Sequence, residues 1–204
     1  MEIKVLRLGH IKTNCYLLSS KNAAIVIDPG FKSSMVEEFL KENEDKERLI
    51  LLTHAHFDHI GGAKELREKT GTLIGIGELD NDSLSNPYIN LSDRFRAHTE
   101  PFCADILLSD KQEFSVGDIK IKVILTPGHT NGSVCYLLDD VLFSGDTLFL
   151  ESVGRTDFIE GDFDALVKSV KRLYELDGDT TVLSGHGDAT TIAHEKRYNP
   201  FVKG

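Results

Sequence analysis

The sequence predicts an α+β fold in which two β-sheets pack face to face with helices outside. Strand-type runs, short and apolar or alternating, form one set near the N-terminus and another after residue 118. Each set ends in a strand, a loop and an amphipathic helix, and no linker, repeat or low-complexity tract lies between them. The 204 residues are enough to bury a sizeable core and are read as one domain spanning 1–204.

In chain order, "EIKVLRL", "NCYLLSS" and "AAIVIDPG" are strands separated by Gly, Asn and Lys-rich turns. "SSMVEEFLKEN" is a helix with Met35, Val36, Phe39 and Leu40 on one face and Ser33 or Ser34 at its start. "RLILLT" is a buried-type strand, "GGAKELREKTG" a helix closed by Gly71, and "TLIGI" another strand. From about Gly77 to Asp110 the pattern fades into a long, partly helical excursion, the kind of segment that overhangs a site. Strands resume with "IKIKVILT", "SVCYLL" and "VLFSG". A helix follows that groups Phe163, Leu166, Val167, Val170, Leu173 and Tyr174. "TTVLSG" is read as the last strand and "ATTIAHEKRYNP" as a short helix stopped by Pro200.

Composition narrows the function. Hydrophobic residues make up 40% and charged residues 27%, ordinary for a globular protein. The net charge is -10 and the 23 Lys and Arg are scattered, which argues against a nucleic-acid partner. The N-terminal run carries charges, so it is neither a signal peptide nor a membrane span, and a cytoplasmic location is expected. Three distant cysteines form no disulfide or CxxC framework; Cys15 and Cys135 are expected buried and Cys103 exposed.

The chemistry concentrates in "THAHFDHIGG", Thr53–Gly62. On extended backbone, side chains at i and i+2 share a face, so His54 and His56 can converge on one ion. Asp58 and His59 are adjacent, and a turn before the following helix sends them to a second position, with Gly61 and Gly62 permitting close backbone approach. Three later strands each end in one further donor: "VILTPGHT" in His129, "VLFSGDT" in Asp146 and "VLSGHG" in His186. Five of the eight histidines thus lie at strand ends, and with two aspartates they make seven donors. That is too many for one four- or five-coordinate ion and fits two ions sharing a carboxylate. His54, His56 and His129 are assigned to the first ion, Asp58, His59 and His186 to the second, and Asp146 to the bridge. Asp28, in "VIDPG", is read as an acceptor that steadies the histidine loop. His10, His98 and His194 have no partners at metal spacing and are read as exposed or structural.

With these residues assembled, the chain resembles the metallo-β-lactamase superfamily and, within it, short glyoxalase II-like (hydroxyacylglutathione hydrolase-like) enzymes. The motif His54-x-His56-x-Asp58-His59 matches the family signature, and His129, Asp146 and His186 follow in its order. "LFSGDTLF", "VGRTDF" and "EKRYNPF" are similar to segments of the glyoxalase II-like and persulfide dioxygenase-like members. The resemblance implies a four-layer αβ/βα sandwich with two mixed sheets flanked by helices. It also implies a dinuclear centre, without the C-terminal helical domain that supplies glutathione contacts in full-length glyoxalase II. Bridging Asp146 and the lack of an export signal count against a β-lactamase, which typically lacks that aspartate. Arg155 of the "GRTD" segment is placed near the site, with an ion pair to Asp157 as its other role.

The expected activity is hydrolysis of a small-molecule thioester, such as a glutathione thioester, by a metal-bridging hydroxide. Two divalent ions lower the pKa of water from about 15.7 towards about 7. Zinc is the first expectation, with iron and manganese suited to the same donors. Asp58 is the expected catalytic residue, orienting the water or shuttling its proton. The alternatives are a mononuclear iron persulfide dioxygenase-like oxidoreductase, using the His54, His56, His129 and Asp146 positions, and a lactonase on the same scaffold.

Overall fold

The computed structural model describes residues 1–204. Its first half builds one mixed sheet from β1 (Glu2–Leu8), β2 (Thr13–Ser19), β3 (Ala23–Ile27), β4 (Glu47–Leu52), β5 (Leu73–Gly77) and β6 (Ile106–Leu108), in that spatial order. β1, β2 and β3 pair antiparallel, whereas β3, β4, β5 and β6 run parallel. The parallel crossovers carry helices α1 (Ser34–Glu42), α2 (Phe57–Ile60) and α3 (Ala63–Thr70), and a one-turn helix α4 (Ser92–Phe95) lies before β6.

The second sheet holds β7 (Glu113–Val116), β8 (Ile119–Leu125), β9 (Val134–Leu138), β10 (Val141–Gly145), β13 (Thr181–Ser184) and β14 (Thr190–Thr191). β11 (Leu148–Phe149) and β12 (Ser152–Val153) make a small separate hairpin. Here β10 and β13 are parallel and the other neighbours antiparallel, so this sheet is mixed as well. α5 (Phe163–Leu173) and α6 (Ile192–Tyr198) cover its outer face.

Strand alternation produces the layers. In β2, Tyr16 and Leu18 face the other sheet while Cys15 and Leu17 face α1 and α3. The central core joins Ile25, Ile27, Leu49 and Leu51 of the first sheet to Val123, Val134, Tyr136 and Phe143 of the second. Val36, Leu40 and Leu66 seal the first outer layer, and Val170, Leu173 and Ile192 seal the other. Burial of each such side chain contributes roughly 1.5–3 kcal/mol, so each layer depends on its apolar periodicity. Helices outside two facing mixed sheets make the four-layer αβ/βα sandwich. No helix is long and apolar enough to cross a membrane.

Several local expectations need correction. Met35 and Phe163 are 49% and 47% exposed rather than in the core, because each sits in the first turn of its helix beyond the sheet's edge of cover. The Ser33 hydroxyl makes no cap bond, although Ser33 holds the N-cap position. β13 is not the last strand, since Thr190 and Thr191 pair back with it before α6 begins. The 77–110 excursion returns as β6, too short at three residues to carry a periodic signal. β7, at four residues, and β11 and β12, at two each, are likewise too short for a clear period. Cys15 and Cys135 are buried and Cys103 exposed, as expected.

Candidate metal centre

The candidate donors follow the C-terminal ends of β4, β8, β10 and β13, with Asp58 and His59 carried on the one-turn helix α2. The Val134 amide donates to the Thr53 carbonyl at 2.9 Å, and the Tyr136 hydroxyl donates to the Leu52 carbonyl at 2.6 Å. These bonds fix the end of β4 against the second sheet. His54 and His56 therefore follow β4 in a bend rather than on the extended strand expected, and their ring centroids lie 4.7 Å apart. The single turn of α2 carries Asp58 and His59 away from that pair. Gly61 completes the turn, and a Cβ there would lie 2.4 Å from the Gly30 carbonyl oxygen, so this close approach requires glycine.

All seven expected donors come together, in three overlapping groups whose donor atoms lie within 4.8 Å of one another. One group is His54, His56 and His129; the second is His54, His59 and Asp146; the third is Asp58, His59 and His186. Asp146 reaches 3.3 Å from His59 Nε2, 3.6 Å from His129 Nε2 and 3.7 Å from His186 Nε2. It stands between the outer groups. Asp58 Oδ2 is 3.2 Å from His186 Nε2 and accepts from Thr13 Oγ1 at 3.1 Å.

Hydrogen bonds behind the cluster set the imidazole tautomers. Thr53 Oγ1 donates to Asp28 Oδ2 at 2.6 Å, so its lone pairs accept from His54 Nδ1 at 3.1 Å. His59 Nδ1 donates to the same Asp28 oxygen at 2.9 Å, and His129 Nδ1 donates to the Arg155 carbonyl at 2.7 Å. In each ring Nδ1 carries the proton and Nε2 presents a lone pair to the centre. Asp28 thus steadies the histidine loop as expected, from a left-handed backbone conformation with φ of 51°. His56 differs, its Nδ1 lying 2.9 Å from His129 Nε2.

The buried atoms test whether metal ions fit here. His54 Nε2 is buried with no hydrogen-bond partner, and His59 Nε2 and Asp146 Oδ1, buried 3.3 Å apart, are not aligned for a hydrogen bond with each other and have no other partner. Unpartnered buried acceptors cost roughly 1–3 kcal/mol each, and imidazole and carboxylate donors are those that divalent ions take. The residues fit the group.

The electrostatics divide the cluster. Burial, reinforced by neighbouring imidazoles, pushes His54 well below the usual histidine range and His56 down to about 3. Burial also lowers His129. Burial opposes charge on His59 too, but Asp146, Asp58 and Asp28 outweigh it and hold this imidazole well above its ordinary value. His186 is raised, burial being outweighed by Asp58 and Asp146. Against the same burial penalty, His59 leads in holding Asp146 and Asp58 below the carboxylate range. His54, His56 and His129 are thus held below the ordinary histidine range, while the carboxylates beside His59 and His186 draw those two above it.

A cavity of about 410 Å³ opens above the cluster, with His56, Asp58, His129, Asp146 and His186 exposed to it and Phe57, Leu91, Phe95, Phe149 and Phe158 on its walls. Leu91 and Phe95 come from the 77–110 excursion, which overhangs the site as expected. Arg155 fills both roles read for it: it borders the cavity, and its guanidinium grips Asp157 through two bonds of 2.9 and 2.7 Å. His10 and His98 are exposed, and His194 pairs with Glu151 at 3.0 Å.

Sequence reasoning missed the supports. Asn14 Nδ2 donates to the carbonyls of Ser184 and Gly187, and the Tyr16 hydroxyl donates to Ser184, holding the His186 loop from β2. Asp80 is fully buried and binds the His54–His56 loop to the His129 loop. Nothing in "GELDND" separates Asp80 from its acidic neighbours; only its partners do.

An αβ/βα sandwich with a histidine–aspartate cluster where its sheets meet defines a protein of the metal-binding hydrolase class. A model of the metallo-beta-lactamase superfamily matches residues 8–186, and the chain belongs to that superfamily as a metallohydrolase. It is 36% identical over 208 residues to the probable metallo-hydrolase YqgX of Bacillus subtilis, covering 100% of this chain and 99% of the relative. It is 32% identical over 209 residues to the hydroxyacylglutathione hydrolase GloC of Haemophilus influenzae, covering 99% and 98%. Among solved structures, the B3 metallo-beta-lactamase BLEG-1 superposes with a TM-score of 0.91 at 39% identity, all of both chains being covered. TTHA1623 in a di-iron-bound form superposes with a TM-score of 0.86 at 31% identity, covering 98% of this chain and 100% of the other.

Proposed function

We propose that the protein hydrolyses thioesters of the hydroxyacylglutathione type at a centre of two divalent ions. His54, His56 and His129 would hold the first ion, Asp58, His59 and His186 the second, and Asp146 would be shared between them. The observation that carries this reading is the overlap of the donor groups around unpartnered His54 Nε2, His59 Nε2 and Asp146 Oδ1. When bound, the ions supply an acidified water as nucleophile and polarise the substrate carbonyl.

The chain's own residues do the rest. The apolar walls exclude bulk water and seat the acyl group over the donors. Asp58, held as carboxylate, takes the proton from the attacking water at Oδ2, while Thr13 keeps that oxygen in place. The carbonyl carbon gains a bond to oxygen, the C–S bond breaks, and the proton passes to the departing thiolate, leaving a carboxylic acid and a thiol. No side-chain nucleophile is needed, and burial raises Cys15 well above the usual thiol range and Cys135 to about 11, so neither supplies a thiolate.

GloC, named a hydroxyacylglutathione hydrolase and similar over nearly the whole chain, supports this substrate class. Relatives named as hydrolases favour it over the persulfide dioxygenase alternative. Zinc remains the first expectation for the metal, and the di-iron form of TTHA1623 makes iron the competitor. The test is metal quantification on the protein as purified, paired with a thioester, a lactone, a β-lactam and glutathione persulfide as substrates. Two equivalents of metal with turnover of the thioester is the expected result. Two bound metals with no thioester turnover would sink the substrate assignment, and oxygen uptake on the persulfide would replace it.

A further inference from the structure

Three of the candidate imidazoles are steadied at Nδ1, His54 by Thr53, His59 by Asp28 and His129 by the Arg155 carbonyl. No protein group bonds to His186 Nδ1, and its Nε2 faces Asp58 at 3.2 Å and Asp146 at 3.7 Å. This residue also stands between two glycines, Gly185 and Gly187, the second in the left-handed region with φ of 80°. The placement of its ring therefore depends on what holds the backbone of residues 184–187.

The start of β2 supplies that hold. The Asn14 amide donates to the Gly185 carbonyl at 2.8 Å, and Asn14 Nδ2 donates to the carbonyls of Ser184 and Gly187 at 3.0 Å each. The Tyr16 hydroxyl donates to the same Ser184 carbonyl at 2.6 Å, and Ser184 Oγ donates to the His186 carbonyl at 2.6 Å. Both Nδ2 hydrogens of Asn14 go to this loop, while its Oδ1 is buried with no partner. A buried acceptor without a partner is destabilising, so what this side chain contributes is the two bonds it donates. Thr13, one residue earlier, donates to Asp58 Oδ2 at 3.1 Å. β2 thereby holds two donors of the second group, Asp58 and His186, and bonds to none of the first. Asp80 does the converse, tying the His54–His56 loop to the His129 loop and bonding to neither Asp58 nor His186.

We propose that Asn14 and Tyr16 are positioning residues that set the affinity of the second metal site through His186, with Thr13 acting on the same site through Asp58. The two sites then have separate supports, β2 for the second and Asp80 for the first, and loss of the β2 bonds leaves a centre that holds one ion well and the other weakly. This rests on the two-ion reading above and does not depend on which bond the centre cleaves.

The test titrates zinc into metal-free protein and follows the histidine ring nitrogens by NMR, which reads His186 separately from His54 and His129. Wild type is compared with Asn14→Ala, with Tyr16→Phe, and with Val170→Ala, a core truncation in the layer beneath α5. In Asn14→Ala the zinc needed to shift His186 is expected to rise about 10- to 100-fold, while His54 and His129 respond as in wild type. Tyr16→Phe removes one bond and keeps the ring, so a rise of about two- to tenfold is expected there. That milder variant carries the test if Asn14→Ala does not fold. Val170→Ala should lose stability and keep both affinities. Binding of zinc at His186 as tight as in wild type, in the folded variants, overturns the proposal, and so does an equal weakening at both sites. If zinc in wild type reaches only the first group, the two-ion reading fails and takes this inference with it.

Discussion

The amide of Ala55, the residue between His54 and His56, donates to Oδ2 of Asp80 at 2.9 Å. The same oxygen accepts from Thr130 Oγ1 at 2.9 Å, and Oδ1 accepts from the Gly132 amide at 2.8 Å. One buried carboxylate thus ties the loop of two candidate donors to the loop of a third, His129. Asp80→Ala strands three buried donors at roughly 1–3 kcal/mol each, so a loss of at least 3 kcal/mol is expected in a denaturant titration. Metal affinity of the His54–His56–His129 group should fall about 10- to 100-fold, the range for supporting residues. Cobalt titration followed by visible absorption checks this. Unaltered metal affinity in a destabilised variant would leave Asp80 a scaffold residue alone.

Burial raises the Asp80 carboxyl to about 6, against an ordinary value of 3.8. A carboxyl with a raised folded pKa binds more protons folded than unfolded between those values. Stability therefore falls as pH rises through that window and is level above it. The decline is on the order of 3 kcal/mol. Asp80→Asn does not titrate, so the stability of metal-free wild type minus that of metal-free Asp80→Asn should drop between about pH 4 and 6 and stay flat towards pH 7.5. Chemical denaturation at several pH values measures the difference, in which the shared histidines cancel. A difference independent of pH would mean that Asp80 is already ionised at pH 4.

Asp28 directs two donors at once, since Oδ2 accepts from His59 Nδ1 and from the Thr53 hydroxyl that in turn accepts from His54. In Asp28→Asn one acceptor oxygen becomes an NH₂ donor: at Oδ1 it opposes the Thr53 amide that anchors the carboxylate, and at Oδ2 it removes the acceptor shared by His59 Nδ1 and the Thr53 hydroxyl. Weaker metal binding by about 10- to 100-fold is expected, with activity that recovers in part when excess metal is added. Competition with a chromophoric chelator gives the affinity. Full metal retention in this variant would show that the tautomers are set without Asp28.

The layers and the donors were legible because both follow short-range rules. Alternation in "NCYLL" separates Cys15 and Leu17 from Tyr16 and Leu18, and the structure sends them to opposite faces. Apolar runs ending in His129, Asp146 and His186 marked strand ends, and the sheets bring those ends together. Asp80 and Asn14 were not legible. Each acts across 25 residues or more. Two-residue strands such as β11 and β14 carry too few side chains for any period to show. Met35 and Phe163 show the opposite error, a correct helical period continued past the end of the surface that it covers.

The two glycines beside His186 separate steric from conformational demands on the candidate centre. A Cβ at Gly185 would lie 2.2 Å from Asp146 Oδ1 and 2.7 Å from His59 Cε1, two of the proposed ligands. Gly187 has φ of 80°, and a Cβ there would meet nothing within 4 Å. Gly187→Ala therefore carries only the backbone penalty of a left-handed residue, about 1–2 kcal/mol, and should keep its metal and its activity. Gly185→Ala must displace Asp146 or His59, at an overpacking cost of about 1–3 kcal/mol. The loss in Gly185→Ala should extend beyond stability to the second metal equivalent and with it turnover. Metal counting on both folded variants makes the comparison at similar destabilisation. Equal metal content would show that Asp146 and His59 do not hold the ions where these glycines place them.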